Sequence, residues 1–298
     1  MKQTILLMLS VVVGVLLSVS CSSTEPNAIY YTTIDDSMIS IDNAGFSAMI
    51  VKHSYNNGKG VIVLSPDAKT IVKKAFYDCE RLTSVTFPNS VTEIGDYAFK
   101  GCSNLISITI PDSVTKIGDR IFENCRSLTS VTIGNGVTTT GWGAFIGCSS
   151  LTGVTIGDSV TTIGASAFYN CSSLESIVIP NGVTTIGGSA FMYCHRITSI
   201  VIPDSVTEIG EYVFYDCSGL TTVTIPDSVA MIGDRTFFDC ASLTCVYCKA
   251  ITPPTGKDYM FDGNALDRKI YVPMESVEAY KSAEYWSNYA EDIVGYDF

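Results

Sequence analysis

The chain has 298 residues, of which 46% are hydrophobic and 16% charged, so it can bury a sizeable core. Its 30 acidic residues outnumber 18 Lys and Arg, giving a formal net charge of −12. Nucleic acids and anionic lipid surfaces repel such a chain, and we expect no nucleic-acid partner.

The first twenty residues follow the pattern of a secretory signal peptide. Lys2 precedes an apolar run over residues 5–17, and small residues lead from there to Cys21. The run is short for a transmembrane span, whereas a cysteine directly after small residues is similar to the lipobox of bacterial lipoproteins. We predict a signal peptide over 1–20 and a lipidated tether over 21–27, with lipid on Cys21 as the only membrane attachment. The alternative is an ordinary secretory signal in which Cys21 has no role.

A region without a clear repeat follows the tether. Residues 28–59 alternate short apolar runs with turn residues, and we predict an N-terminal cap there. A degenerate coil is expected to begin at Gly60, because Ile62, Leu64 and Ile71 match the apolar positions of later repeats.

A phenylalanine then returns at every 23rd position, and a cysteine follows each one three residues later. The phenylalanines are Phe76, Phe99, Phe122, Phe145, Phe168, Phe191, Phe214 and Phe237. The cysteines are Cys79, Cys102, Cys125, Cys148, Cys171, Cys194, Cys217 and Cys240. Recurrence at this period predicts a solenoid, in which each coil buries its apolar residues against its neighbours. We place the solenoid at residues 60–248.

Each repeat has the form LxxVxIPxSVxxIGxxAFxxCxx. The V-x-I alternation predicts a short strand with one buried side, and the Pro or Gly after it predicts a turn. The Ala-Phe-x-x-Cys stretch predicts a tight helical or 3₁₀ turn. The expected fold is a mainly β, leucine-rich-repeat-like solenoid of 23-residue coils with short helical or 3₁₀ turns, capped at both ends.

This unit resembles the BspA-type leucine-rich repeat of bacterial surface proteins, over residues 28–298 with both flanks included. It departs from the commonest leucine-rich repeat, because Ser or Gly stands where that repeat has asparagine. The resemblance implies a curved solenoid on the surface of a Bacteroides-like bacterium, carried by an outer membrane lipoprotein. It implies no catalytic residues and no cofactor.

The repeat is followed by a closing segment, predicted as a C-terminal cap over 249–298. Residues 249–264 contain two adjacent prolines and are expected to form a connection. Residues 269–273 are predicted to form a final strand, and Ser276 is expected to cap a helix running toward Tyr289.

The 11 cysteines of a secreted chain would suggest disulfides. Eight of them occupy one repeat column, where identical stacked coils do not favour disulfide geometry, so we expect buried thiols. Cys245 and Cys248 have the C-x-x-C spacing of metal and redox sites, but no second such pair lies nearby, and we expect no metal site. His195 follows Cys194, which permits a nucleophile–base pair; a buried cysteine beside a surface histidine is the favoured alternative, and we expect no enzyme.

The residue after each repeat phenylalanine provides the first candidate binding surface. In five consecutive coils it is large and apolar, and we call this set the stripe: Ile146, Tyr169, Met192, Tyr215 and Phe238. Lys100 and Glu123 occupy the same column earlier, which predicts a solvent-accessible position. Tyr212 is expected to extend the stripe. Exposed apolar rows of this kind usually mark contact sites; the alternative is that the side chains fold back and are half-buried.

The outward positions of the predicted strands provide a second candidate surface, which we call the strand face. They are nearly all hydroxyl residues: Ser84, Ser107, Ser130, Ser176, Ser199 and Thr222 in one column, and Thr86, Thr109, Thr132, Thr155 and Thr224 in the next. Gly153 interrupts the first column, and Val178 and Val201 interrupt the second. Such a face could bind glycans or polar backbone groups, although threonine also simply suits exposed strand positions.

The turns repeatedly contain Asp-Ser followed by an apolar residue. These triplets resemble the O-glycosylation acceptor of Bacteroides-type bacteria, and the candidate serines are Ser37, Ser113, Ser159, Ser205 and Ser228. The alternative is that Asp and Ser are ordinary turn residues.

Two classes of function remain. The first is a non-catalytic cell-surface binding or adhesion protein whose ligand is a host or bacterial protein or a glycan. The second is a structural or accessory envelope lipoprotein without an independent ligand.

Overall fold

The apolar columns of the repeat stack into a solenoid with little helix, described for residues 25–41, 44–47 and 49–298 of a computed structural model. The predicted signal peptide and Cys21, the predicted lipidation site, lie outside these residues. Buried side chains run as one continuous core from Ile29 in the N-terminal cap to Ile293 near the C-terminus.

The N-terminal cap is an antiparallel sheet rather than a stack of coils. It contains β1 (Ala28–Thr33), β2 (Ile50–Asn56) and β3 (Lys59–Leu64), with the one-turn helix α1 (Ala44–Ser47). β1 pairs antiparallel with β3 and with the first long repeat strand. The segment that the sequence assigns to a degenerate coil from Gly60 therefore belongs, up to Leu64, to the cap sheet.

Most coils contribute one long and one short strand. The long strands follow the V-x-I segments: β5 (Leu82–Thr86), β7 (Ser107–Ile110), β9 (Ser130–Ile133), β10 (Gly153–Ile156), β13 (Ser199–Val201), β15 (Thr222–Ile225) and β17 (Cys245–Cys248). The short strands are β4 (Thr70–Ile71), β6 (Glu93–Ile94), β8 (Lys116–Ile117), β11 (Thr162–Ile163), β12 (Thr185–Ile186), β14 (Glu208–Ile209) and β16 (Met231–Ile232). Neighbouring coils pair in parallel and in register, as Val131 does with Ile108 and Val154. Residues 174–180 carry no strand, so the long-strand sheet is divided between β10 and β13.

The phenylalanine column forms a stack of rings through the centre of the solenoid. From Phe76 to Phe237 every member is fully buried, and successive ring centroids between Phe122 and Phe237 lie 5.3 to 5.5 Å apart with nearly parallel planes. The stack continues to Phe261, 5.4 Å beyond Phe237. Residues 249–264, which the sequence alone predicts to form a connection, therefore form a further coil. Phe261 follows Phe237 by 24 residues instead of 23, so the 23-residue period did not include it.

From Cys102 to Cys240 the cysteine column is buried beside the rings, and its thiols donate hydrogen bonds, whereas Cys79 at the cap end is half-buried. Each thiol from Cys102 to Cys240 donates to the carbonyl of the phenylalanine in the preceding coil over 3.1 to 3.2 Å. In the further coil Asn264 takes this place, because its Nδ2 donates to the Phe237 carbonyl over 2.7 Å. The cysteines of the described residues form no disulfide.

The Ala-Phe-x-x-Cys stretch is a pair of tight turns rather than a continuous helix. The Cys79 amide bonds the Phe76 carbonyl three residues back, as in a 3₁₀ turn. The Phe76 amide instead donates to Ala98 in the next coil. Left-handed residues such as Lys74 (φ 59°) and Asp78 (φ 53°) separate the turns, and they prevent a helix from propagating.

The C-terminal cap closes the last coil with large aromatic side chains. It contains β18 (Lys269–Pro273), a 3₁₀ helix (Met274–Ser276), α2 (Val277–Ser282), a second 3₁₀ helix (Trp286–Tyr289) and β19 (Ile293–Tyr296). Trp286 is fully buried, and its Nε1 donates to the Pro254 carbonyl over 2.8 Å. Ser276 makes no side-chain cap, and α2 ends at Ser282; the predicted helix toward Tyr289 is thus divided into two pieces.

Candidate binding surface

The stripe lies on the turn side of the solenoid, and all five of its side chains are half-buried. The sequence predicted an accessible column because Lys100 and Glu123 occupy it. Glu123 is in fact only 8% exposed. Its carboxylate is held by Lys100 Nζ at 3.1 Å and by Arg120 Nη1 at 3.4 Å. A charge is accepted there because it is paired, which corrects the premise of that prediction.

Aromatic contacts join the stripe residues across the coils. Tyr215 stacks on Phe238 with centroids 5.2 Å apart. Tyr193 lies between Tyr169 and Tyr215, at 5.4 Å and 5.8 Å, with its ring nearly perpendicular to both. The tilted ring of Tyr212 lies 6.0 Å from Tyr215, so Tyr212 extends the row. We call Tyr169, Tyr193 and Tyr215 the tyrosine cluster.

Tyr193 belongs to this surface although the stripe pattern does not include it. Its backbone is left-handed, with φ 64°, a conformation that is unfavourable for a bulky residue. Other coils fill the same column with residues that tolerate it: Asp78, Gly101, Asn124, Gly147, Asn170, Asp216, Asp239 and Gly263. In the sequence, the only indication that Tyr193 belongs to this surface is a single tyrosine in a repeat column of Asp, Asn and Gly.

The surroundings of the tyrosine cluster are acidic. Asp216 and Asp239 are in the two coils that follow Tyr193 in its own column. The pKa of Tyr215 is raised, first by burial and then by the charge of Asp239, the neighbouring Tyr193 and Asp216, while Arg235 acts in the opposite direction. His195 contacts the Tyr193 ring at 6.1 Å between centroids. Its Nε2 lies 3.6 Å from an Asp216 oxygen.

The strand face is exposed, and its chemistry changes along the solenoid. Its threonines at 109, 132 and 155 are exposed, and Val178 and Val201 are 80% and 70% exposed. Tyr247 and Tyr271 continue the same column on β17 and β18, with stacked rings 4.8 Å apart. The strand face thus ends in aromatic side chains. The threonines and valines of the seven preceding coils did not predict this change.

The candidate glycosylation serines differ in accessibility. Ser159 is exposed. The hydroxyls of Ser205 and Ser228 donate to valine carbonyls of the preceding coil over 2.5 and 2.8 Å. Ser113 Oγ is buried without a hydrogen-bond partner, and Ser37 Oγ donates to Asp35 over 2.9 Å.

The other candidate chemistries are not assembled. Burial raises the pKa of Cys194 to about 12, and its thiol donates to the Phe168 carbonyl. Cys248 is buried against Tyr280, while Cys245 lies on the opposite side of the same strand. Within the described residues, no three His, Cys, Asp or Glu side chains gather as a metal site. Among those residues, no helix combines the length and apolarity needed to cross a membrane.

Comparison with known proteins identifies the repeat. A family model described as BspA type Leucine rich repeat region matches residues 69–198 and 184–285, in six copies. The solved leucine-rich repeat protein of T. pallidum is 24% identical, with 73% of this chain and 86% of that chain covered and a TM-score of 0.45. One from Eubacterium ventriosum is 32% identical over 48% of this chain and 39% of that chain, with a TM-score of 0.46. A leucine rich cell surface protein from Faecalibacterium prausnitzii is 25% identical over 83% and 85%, with a TM-score of 0.42. No curated protein matches the chain.

Proposed function

The chain belongs to the BspA-type leucine-rich repeat family, and on that premise we propose that it is a non-catalytic binding protein of the cell surface. Its ligand is another protein, of a host or of a neighbouring bacterium, and it is contacted by the stripe. Solenoids offer long repetitive faces that bind partners, rather than enclosed catalytic clefts.

The observation that carries this proposal is the continuous row of half-buried apolar side chains on the later coils. Successive coils are spaced at about 4.8 Å. Tyr215 contacts Phe238 directly and Tyr169 through Tyr193, so ring contacts join three of the five stripe residues. Aromatic and methionine side chains are enriched at the centres of protein interfaces, where they bury much area with little loss of freedom.

Surface attachment is the second part of the proposal. A diacyl lipid on Cys21 would hold the body at the membrane through the tether, of which residues 25–27 belong to the described structure. The acidic solenoid would then stand clear of the anionic lipid surface, because like charges repel.

The experiment compares two double variants of the full chain in binding to host cells and to an array of host and bacterial proteins. Tyr169→Ser with Tyr215→Ser removes two rings of the stripe. Val178→Ser with Val201→Ser is the matched control, because it removes two apolar side chains from the strand face. We expect the first variant to lose about tenfold or more in affinity for a bound protein and the control to keep it.

The opposite result would relocate or remove the site. Loss of binding in the valine variant alone would place the ligand on the strand face, and ligands found only on a glycan array would replace the protein by a carbohydrate. Unchanged affinity in both variants would contradict binding by either surface.

A further inference from the structure

Aromatic rings on the turn side of the early coils have lysines of the chain itself over their faces. Lys74 and Lys100 lie over Tyr77, with Nζ atoms 5.0 and 6.0 Å from the ring centroid. Lys73 and Lys100 lie over Tyr97 at 5.5 and 5.6 Å. These distances are within the range of cation–π attraction, about 6 Å. These lysines therefore show where a cation can bind over a tyrosine on the turn side of the solenoid.

The same arrangement recurs with arginines on both sides of the tyrosine cluster. The Arg120 guanidinium lies 4.1 Å from the Trp142 ring. Arg235 lies over Tyr212 and Tyr259 at 5.8 and 4.6 Å. Tyr212 also accepts a hydrogen bond from Arg235 Nη1 over 3.1 Å.

The tyrosine cluster differs, because no lysine or arginine of the described residues lies over any of its three rings. The sequence explains this difference. Residues 127–234 contain eight acidic residues and a single basic one, Arg196, whose guanidinium pairs with Glu175 at 3.1 Å. Met192 stands in the column position that Lys100 fills beside Tyr77. The three rings of the tyrosine cluster thus lie in a stretch of the chain whose single lysine or arginine is Arg196.

Geometry and charge both suit a cation supplied from outside. Tyr193 is nearly perpendicular to Tyr169 and to Tyr215, at 87° and 83°, so its face points in a different direction from theirs. The carboxylates of Asp216 and Asp239 lie in the coils directly beyond Tyr193 and supply negative charge. Ammonium and guanidinium groups bind over the faces of aromatic rings, and nearby carboxylates add attraction for the same groups.

We propose that the tyrosine cluster binds a lysine- or arginine-rich segment of the partner protein, with a cationic side chain over its rings and the carboxylates of Asp216 and Asp239 alongside. This inference rests on the proposed function and specifies its partner as basic. It assigns to Tyr193 the central role in the contact, despite its left-handed backbone.

The test uses the full chain and a hexalysine peptide, with a neutral glycine–serine hexapeptide for comparison, in calorimetric titrations at constant salt. Tyr193→Leu removes the ring without changing the net charge, so general attraction to the acidic surface stays equal. We expect it to weaken hexalysine binding about threefold to thirtyfold. Tyr193→Phe keeps the ring and should bind as the wild type does. Tyr259→Leu is the control, because that ring already carries Arg235.

Met192→Lys provides an independent variant if Tyr193→Leu fails to fold. It places an internal cation as Lys100 is placed beside Tyr77, and we expect it to fold and to bind hexalysine about tenfold more weakly. Equal binding by wild type and Tyr193→Leu, or no preference of the wild type for hexalysine over the neutral peptide, would overturn the inference. If the tyrosine-to-serine double variant loses its protein partner and hexalysine does not compete for that partner, the proposed function stands and the basic partner is wrong.

Discussion

The burial and the contacts of a single residue in this solenoid depend on the coils before and after its own. Glu123 is buried because Lys100 comes from the preceding coil and Arg120 from its own turn. Tyr193 keeps a left-handed backbone in a column of Asp, Asn and Gly, at a cost on the order of 1 kcal/mol. Its ring has two aromatic neighbours. Neither feature follows from the residue's own position in the repeat.

Phe168 tests the inward direction of the ring column. It is fully buried between Phe145 and Phe191, with centroids 5.3 and 5.4 Å away. Phe168→Ala should lower the free energy of unfolding by about 3–5 kcal/mol, because stacked coils on both sides cannot close the cavity. The measurement is urea unfolding. Val178→Ala, at an exposed position, should change stability by less than about 0.5 kcal/mol; equal stability of both variants would contradict the assigned core.

The structure ranks the candidate glycosylation sites, whose modification stays a proposal. Ser159 is exposed, whereas Ser113 Oγ is buried and the Ser205 and Ser228 hydroxyls are engaged with the preceding coil. In protein isolated from its native host we expect a glycan on Ser159 before any other repeat serine. Glycopeptide mass spectrometry of wild type and Ser159→Ala checks this. A native protein with only its peptide mass, or a glycan on Ser113 alone, would contradict it.

At the scale of elements, the cysteine column predicts a loss of stability in alkali. Burial raises the pKa of Cys194 and of Cys240 from 9.0 to about 12. Between these values the unfolded chain has released thiol protons that the folded chain keeps. The free energy of unfolding should therefore be unaffected below about pH 9 and then fall by about 1.4 kcal/mol per pH unit for each such thiol.

Urea unfolding at increasing pH measures this slope. Cys194→Ala is the matched variant, because it removes one buried thiol and leaves the buried tyrosines, which also titrate in alkali. Its stability should be lower near neutral pH, through the lost hydrogen bond to Phe168 and the small cavity. Above pH 9 the free energy of unfolding of this variant should fall less steeply than that of the wild type, by the contribution of one thiol. Identical slopes for the two proteins would show that Cys194 does not titrate as a buried thiol.

The sequence predicted those elements whose residues repeat at a fixed interval, and it missed those that depend on an irregularity. The buried phenylalanine and cysteine columns and the short strands follow from the 23-residue period. Phe261 was missed because it lies 24 residues after Phe237. The hairpin strand ending at Leu64 was missed because its alternation fits an antiparallel strand as well as a coil. Tyr193 was missed because a left-handed turn, not a strand or helix, sets its direction.

At the scale of the whole molecule, the early coils and the tyrosine cluster differ in whether a cationic side chain of the protein lies over their rings. The early coils place Lys73, Lys74 and Lys100 on their own tyrosines. Among the described residues of the later coils, Arg235 lies over Tyr212 and Tyr259, but no lysine or arginine lies over the tyrosine cluster, and acidic residues are in excess between 127 and 234. The fold is thus regular, whereas its surface chemistry is not. The binding proposals concern the later coils, where the tyrosine cluster and the acidic residues are available to a partner.

Anchoring concerns the whole molecule as well, and attachment through a lipid on Cys21 stays a prediction. Two acyl chains on this residue would give stable membrane attachment, since each buried CH₂ contributes about 0.8 kcal/mol and a single chain binds only marginally. Cys21→Ala should abolish incorporation of labelled fatty acid and move the protein from the membrane fraction to the soluble fraction. Cys245→Ala, at a half-buried position on β17, is the control and should keep both lipid and membrane attachment. A wild-type protein without lipid, and a Cys21→Ala variant that stays in the membrane fraction, would show that another feature holds the chain at the membrane.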